Sequence, residues 1–255
     1  MSARNRHGTC AYCGKEKKLT RDHVPPKVLF SEPLPDNMRV VPACAECNES
    51  FKKDDEYTRT VVALDVRAAS HPDVIASLSK MMRSLQYPEA RGFAQSLGRA
   101  STPSSLFGPN GVRLAKLTQN GSRINATGLH IVRGLYYLER GKVIAKDAAI
   151  KLAHTTGLTS ESGEMLDIAR VFAALADHRD GVAGRAFSYA AAFGHGVSVW
   201  VMLLYDYLFW VSSIDEREES LRGGPLFPEA GFDDERLGKL EHANPPGCQG
   251  PNQYR

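Results

Sequence analysis

The residues best equipped for chemistry crowd the N-terminal end of the chain. Four of the five cysteines form two close pairs, Cys10-Ala11-Tyr12-Cys13 and Cys44-Ala45-Glu46-Cys47. Four thiolates held about 2.3 Å from one metal ion need two tight turns, each presenting two sulfurs on one side. Gly14, directly after the first pair, suits such a turn. No apolar signal segment opens the chain, since Met1–Asn5 leads into polar and charged residues, so a reducing, cytoplasmic setting is expected. Paired C-x-x-C knuckles in that setting fit a tetrahedral structural zinc better than disulfides, with Cys10, Cys13, Cys44 and Cys47 as ligands. Cys248 stands alone in a Pro/Gly-rich stretch. The 30 residues between Cys13 and Cys44 exceed a simple zinc ribbon, which leaves room for a built loop.

That loop carries Thr20-Arg21-Asp22-His23-Val24-Pro25-Pro26, then Asn37, and Asn48 follows Cys47 directly. Apart from His7, His23 is the one side chain in this segment that titrates near neutrality, which makes it the natural general base. Asp22 offers hard oxygens of the kind Mg²⁺ prefers. Asn48, bonded to a zinc ligand, would have little conformational freedom. Adjacent residues of an extended strand point to opposite faces, so a twist or bulge is expected before Asp22 and His23 can serve one site.

The ordered set Cys-x-x-Cys, Asp-His-x-x-Pro, Asn, Cys-x-x-Cys-Asn resembles the HNH endonuclease family, whose core is the ββα-metal fold. The resemblance covers residues 8–60. It implies that His23 is the general base, that Asp22 and Asn48 hold a catalytic Mg²⁺ or Mn²⁺, and that Asn37 orients the base through loop hydrogen bonds. It further implies hydrolysis of DNA phosphodiester bonds to 5′-phosphate and 3′-hydroxyl ends, with RNA open as a substrate. Modules of this kind are often fused to domains that select substrate, including in bacterial restriction and antiphage defence. The rival reading is a non-catalytic, zinc-stapled nucleic-acid-binding protein, which has no need of a base beside hard metal ligands. A redox switch using the cysteine pairs is a weaker third.

The elements that must position these groups are less explicit. Apolar residues make up 42% and charged residues 24% of 255, with a net charge of +3, the proportions of an ordinary soluble globular protein. Residues 1–60 are rich in turn-forming prolines and cannot bury much apolar surface alone, so a zinc staple is physically sensible there. Helical spacing begins at Asp54, with Tyr57, Val61, Leu64 and Ala68, and stops at His71-Pro72. Ile75, Leu78, Met81, Met82 and Leu85 predict a second helix ending by Pro88, and residues 100–122 a long connection. Two more stripes follow: Ile131, Val132, Leu135 and Leu138, then Met165, Ile168, Phe172 and Leu175. Strands come late. Phe187, Tyr189, Ala191 and Phe193 alternate, Gly194-His195-Gly196 can turn the chain, and Val197–Ile214 reads as one strand or two broken near Asp206. That same apolar run barely reaches membrane length, and its central Asp206 argues against a span. The expected fold is α+β. A zinc-stapled ββα-metal module over 1–60 precedes an α+β C-terminal domain over 61–240 with a late antiparallel hairpin or sheet, and then a poorly ordered tail over 241–255.

Several groups stay open between a surface role and a functional one. Lys52-Lys53 suit phosphate contact or a solvated helix end. Asp54-Asp55-Glu56 could supply a further metal ligand or complement a helix N-terminus. Residues 80–151 hold twelve Lys/Arg against three acids, and 215–242 hold nine acids against four basic residues. Arg83, Arg91, Arg99, Arg113, Lys116 and Arg123 could track a nucleic-acid backbone or form an ordinary basic surface. His130, His154, His178 and His195 have no ligand spacing and read as structural or surface residues. The C-terminal part is a candidate for homodimerisation, which would place two nicking sites on opposite strands. No membrane partner is expected.

Overall fold

A computed structural model of the chain describes residues 7–69, 71–108, 111, 113–156, 178–182 and 186–217. The first sheet forms around the cysteine turns. Strand β1 (His7–Thr9) pairs antiparallel with β2 (Glu16–Val24), joined by the first knuckle. Gly14 takes φ +67° there, a conformation that costs glycine little. Its N–H closes the turn on the Cys10 carbonyl at 2.9 Å. Strand β3 (Arg39–Cys44) pairs antiparallel with β2 from Leu19↔Cys44 to Val24↔Arg39. It then runs without a loop into helix α1 (Ala45–Ala63), whose N-cap is Cys44 itself.

Helix α4 (Gly121–Arg140) is the central beam. Asn120 caps its start by accepting from the Arg123 N–H, and Gly141, at φ +66°, ends it. One flank packs on α1 and β2, where Gly134 lets the helix approach so closely that a Cβ there would lie 2.4 Å from Val24 Cγ2. The other flank rests on a five-stranded antiparallel sheet ordered β6-β10-β9-β8-β7. Its strands are β6 (Ala149–Thr156), β7 (His178–Val182), β8 (Phe187–Gly194), β9 (Val197–Leu204) and β10 (Leu208–Asp215). Gly128 seats over the buried Trp210 indole, whose N–H donates to the Ile124 carbonyl at 3.2 Å. The main apolar core runs from Ala11, Val24 and Val41 through Val61, Ile131 and Leu135 to Trp200, Trp210 and Ile214. The described residues fall in one compact unit. The described residues therefore hold mixed α and β structure, with four α-helices and antiparallel sheets.

Several sequence expectations hold here. Ile131, Val132 and Leu135 face the core, and Phe187, Tyr189 and Ala191 are buried. Val197–Ile214 is a hairpin, broken where Tyr205 and Asp206 adopt φ +56° and +53°. No helix among the described residues is long and apolar enough to cross a membrane.

Others need correction. The apolar spacing shows only from Asp54, but the helix begins at Ala45, close to the start near Cys47 that would present Asn48, because the second knuckle opens it. Asp54-Asp55-Glu56 therefore sit in mid-helix, where they cannot complement its N-terminus. His71-Pro72 starts a helix rather than ending one: the His71 side chain caps α2 (Pro72–Ser84) by accepting from the Asp73 N–H. On α2 the inward face is Val74, Ser77 and Met81, while Ile75, Leu78 and Met82 are exposed. After α3 (Arg91–Arg99), the expected connection over 100–122 contains a two-stranded ribbon, β4 (Ser101–Phe107) and β5 (Arg113–Leu117). The stripe from Met165 to Leu175 and the tail over 241–255 lie outside the described residues.

Candidate metal centre and adjoining cleft

The four cysteines of the two knuckles converge. One ligand atom from each of Cys10, Cys13, Cys44 and Cys47 lies within 4.8 Å of the others, and the Cys13 and Cys44 sulfurs are 3.9 Å apart. A tetrahedral ion with bonds of about 2.3 Å requires sulfurs roughly 3.8 Å apart, so the cluster fits zinc. Burial opposes a thiolate on Cys10, but N–H groups of Cys44, Cys13 and Tyr12 aimed at its sulfur outweigh that and lower its pKa to about 7. The Cys44 N–H donates to Cys10 Sγ at 3.3 Å. The scaffold thus favours a ligating thiolate at this position before any metal contributes.

Beside this cluster a cleft opens over the end of β2 and the first turns of α1. It is lined by Arg21, Asp22, His23, Lys27, Asn48, Lys52, Asp55, Glu56 and His130, among others. Asp22 and His23 from β2 and Asn48 from α1 thus share one cavity of about 510 Å³. The antiparallel register of β2 on β3 is unbroken through this end. Asp22 and His23 nevertheless both reach the cleft, because it lies across the strand terminus rather than over one face. Asn37 lies elsewhere, in an exposed turn before β3, and does not line the cleft.

Asn48 is oriented by its neighbours. The Thr20 hydroxyl donates to the Ala43 carbonyl at 2.9 Å, so its oxygen is left to accept from Asn48 Nδ2 at 3.1 Å. That fixes the amide orientation and leaves the Asn48 carbonyl oxygen as its unused donor to a cation.

Asp22 is buried and heavily engaged. Its Oδ2 accepts from the Tyr12 hydroxyl at 2.7 Å and from His130 Nε2 at 2.8 Å. The other imidazole nitrogen, Nδ1, donates to Asp55 Oδ2 at 3.0 Å, and Phe51 stacks on the ring with centroids 4.0 Å apart. Burial of the His130 ring works against its charge. Hydrogen bonds and charges from Asp22 and Asp55 outweigh that and raise its pKa to about 9. Tyr12, buried and beside Asp22, is pushed well above the ordinary phenol range and stays a donor. Asp55 is pushed above the usual carboxylate range by burial, against the pull of His130.

His23 has the opposite shift. Partial burial first, and then the charges of Lys27 and Arg21, lower its pKa, with Asp22 opposing. It is therefore unprotonated at neutral pH, as a base must be.

The remaining candidates are dispersed. Lys52 pairs with Glu49 along the helix, and Asp54 pairs with Arg123 of α4 at 2.6 Å. Arg83, Arg91, Arg99, Arg113 and Lys116 are exposed and line no part of the cleft. His154 meets Asn125, and His195 sits in the β8–β9 turn; the side chain of His178 lies outside the described residues.

Sequence reasoning missed His130, Tyr12 and Phe51, and saw Asp55 only as one of three acids open to a metal or a helix end. Asn48, Phe51 and Asp55 do fall on one helix face by spacing, which was a usable signal. His130 offered none beyond its place in an apolar helical stripe. No family model, curated protein or solved structure matches the chain.

Proposed function

We propose that this chain is a metal-dependent endonuclease of the HNH kind, with a ββα-metal core stapled by zinc and DNA as its substrate. One observation carries the reading. Asp22, His23 and Asn48 line a single cleft with the cations Arg21, Lys27 and Lys52, beside four convergent thiols. A module that only binds nucleic acid has no use for an unprotonated imidazole set among hard oxygen donors.

Asp22 and Asn48 would hold Mg²⁺ or Mn²⁺, which when bound would polarise the phosphoryl oxygens and assist the departing oxygen. Arg21 and Lys27 would draw the phosphate into the cleft. His23 takes a proton from a water as its oxygen attacks phosphorus. The bond from phosphorus to the 3′-oxygen breaks, leaving a 5′-phosphate, and the 3′-oxygen acquires a proton from solvent. A reducing cytoplasm suits the free thiols, and an antiphage or restriction role suits a nuclease fused to further structure. Asn37, in an exposed turn before β3, keeps only the base-orienting role that the family resemblance implies, through the loop and not from the cleft wall.

The test is nicking of supercoiled plasmid by the zinc-loaded protein. Cleavage should require added Mg²⁺ or Mn²⁺, and EDTA should stop it. His23→Ala should keep its fold and zinc yet cut about 10² to 10⁴-fold more slowly, the usual contribution of a positioned base. A folded, zinc-loaded His23→Ala protein cutting at the wild-type rate would sink the assignment. A wild type that binds DNA and never cuts would leave the binding-only alternative.

A further inference from the structure

Helix α4 belongs to none of the residues that carry the nuclease resemblance, yet it delivers His130 to the floor of the cleft. The ring is almost fully buried, at 2% exposure, so of the structural and surface roles open to it in the sequence the surface one falls away. It bridges two carboxylates, through Nε2 to Asp22 and through Nδ1 to Asp55. Both nitrogens are spent in this way, and the two carboxylates flank opposite ends of the ring. They do not converge on a point where a cation could sit. The four-cysteine cluster is the one convergent set of metal-ligating groups among the described residues.

The geometry at Asp22 gives the bridge a purpose. Both hydrogen bonds it accepts, from His130 and from Tyr12, go to Oδ2. Oδ1 receives neither. A carboxylate held by one oxygen in a buried two-donor cradle has its other oxygen aimed and its rotation stopped. Phe51 stacked on one face of the ring and Asp55 on its far nitrogen keep the imidazole from turning away.

We infer that His130 is a positioning residue: with Asp55 and Tyr12 behind it, it clamps Asp22 through Oδ2 so that Oδ1 alone is presented, as a one-oxygen ligand, to the divalent cation. The inference rests on the nuclease reading of the cleft and extends it to a helix outside the resembling segment. Partners that orient a metal ligand from behind typically contribute about 10 to 100-fold in metal affinity.

The experiment is a Mn²⁺ titration of zinc-loaded, full-length protein, followed by electron paramagnetic resonance of the free ion, alongside plasmid nicking at several Mn²⁺ concentrations. His130→Ala should weaken Mn²⁺ binding by about 10-fold or more. Excess Mn²⁺ should restore much of its nicking rate, because the ligand itself is still present. Asp55→Asn keeps the size of the network but replaces the carboxylate that accepts from the far ring nitrogen, and should weaken binding in the same direction by a smaller factor. If His130→Ala loses zinc or fails to fold, Asp55→Asn and His130→Gln decide the matter, since Gln retains one donor towards Asp22 and should rescue part of the affinity. Wild-type Mn²⁺ affinity in these variants, with Asp22→Ala abolishing it, would overturn the positioning role and leave the nuclease reading standing. An Asp22→Ala protein that binds Mn²⁺ like the wild type would instead show that the cleft reading itself fails.

Discussion

At His23 the electrostatic surroundings make a kinetic statement. Burial and the neighbouring Lys27 and Arg21 charges lower its pKa below the usual imidazole value. The catalytically useful form is the unprotonated one, so the rate should rise with pH, and the lowered pKa places that rise on the acid side of about 6.5. Nicking should therefore be level through neutrality. Lys27→Gln removes one of the charges responsible and should move the acid limb of the rate profile to higher pH. A limb that stays in place in this variant would show that another group governs the profile. The four cysteines were legible from their spacing and converge, and Asp22, His23 and Asn48, singled out by order in the sequence, line one cleft. His130 was not legible, because its partners Asp22 and Asp55 are 108 and 75 residues away. A lone histidine carries no local sign of such pairing. Asn37, matched to the motif by order, sits in an exposed turn before β3 and does not line the cleft.

Among the elements, α4 depends on two glycines for its close approach. Replacing a mid-helix glycine by alanine ordinarily stabilises by about 1 kcal/mol. At Gly134 the new Cβ would lie 2.4 Å from Val24 Cγ2, a buried β-branched side chain with little freedom to move. Overpacking of this kind costs about 1 to 3 kcal/mol and should reverse the sign. Gly134→Ala should thus lower the melting temperature by about 2 to 4 °C for each kcal/mol lost in a chain of this size. It should also slow nicking, because Val24 ends the strand that carries Asp22 and His23. An unchanged or raised melting temperature would mean that β2 yields at this point. Amphipathic stripes announced α4 and the β9–β10 hairpin clearly. The β4–β5 ribbon escaped notice because its strands are largely exposed and carry no alternation of apolar and polar residues. The inward face of α2 was misread for a related reason: its most apolar residues face solvent and a serine faces in.

For the molecule as a whole, the boundary expected near residue 60 runs through the middle of packed structure. α1 continues to Ala63, and Val61 and Val62 join a core that extends to Trp210 and Ile214. The zinc cluster is then a staple for one corner of a shared core. Cys44→Ser should release zinc, which supplies on the order of 10 kcal/mol to such a site. Metal analysis should fall from one zinc per chain towards none. Loss of the N-cap and first turn of α1 should appear in near-ultraviolet circular dichroism as a changed environment for Tyr12, while the distant Trp200 and Trp210 keep theirs. Retention of stoichiometric zinc by this variant would refute the four-thiolate site.

Cys47 and Asn48 are consecutive residues in the first turn of α1, so one peptide bond separates a zinc ligand from a candidate ligand of the second ion. Any free energy by which zinc steadies Asn48 for that second ion must be returned in kind. Linkage is reciprocal, and the second ion tightens the hold on zinc by the same factor. Under the proposed reading the two ions are effectors of each other through a single helical turn. Zinc supply would then set catalytic competence as a graded input, and a chain engaged with its cation would be the slowest to surrender zinc to a chelator.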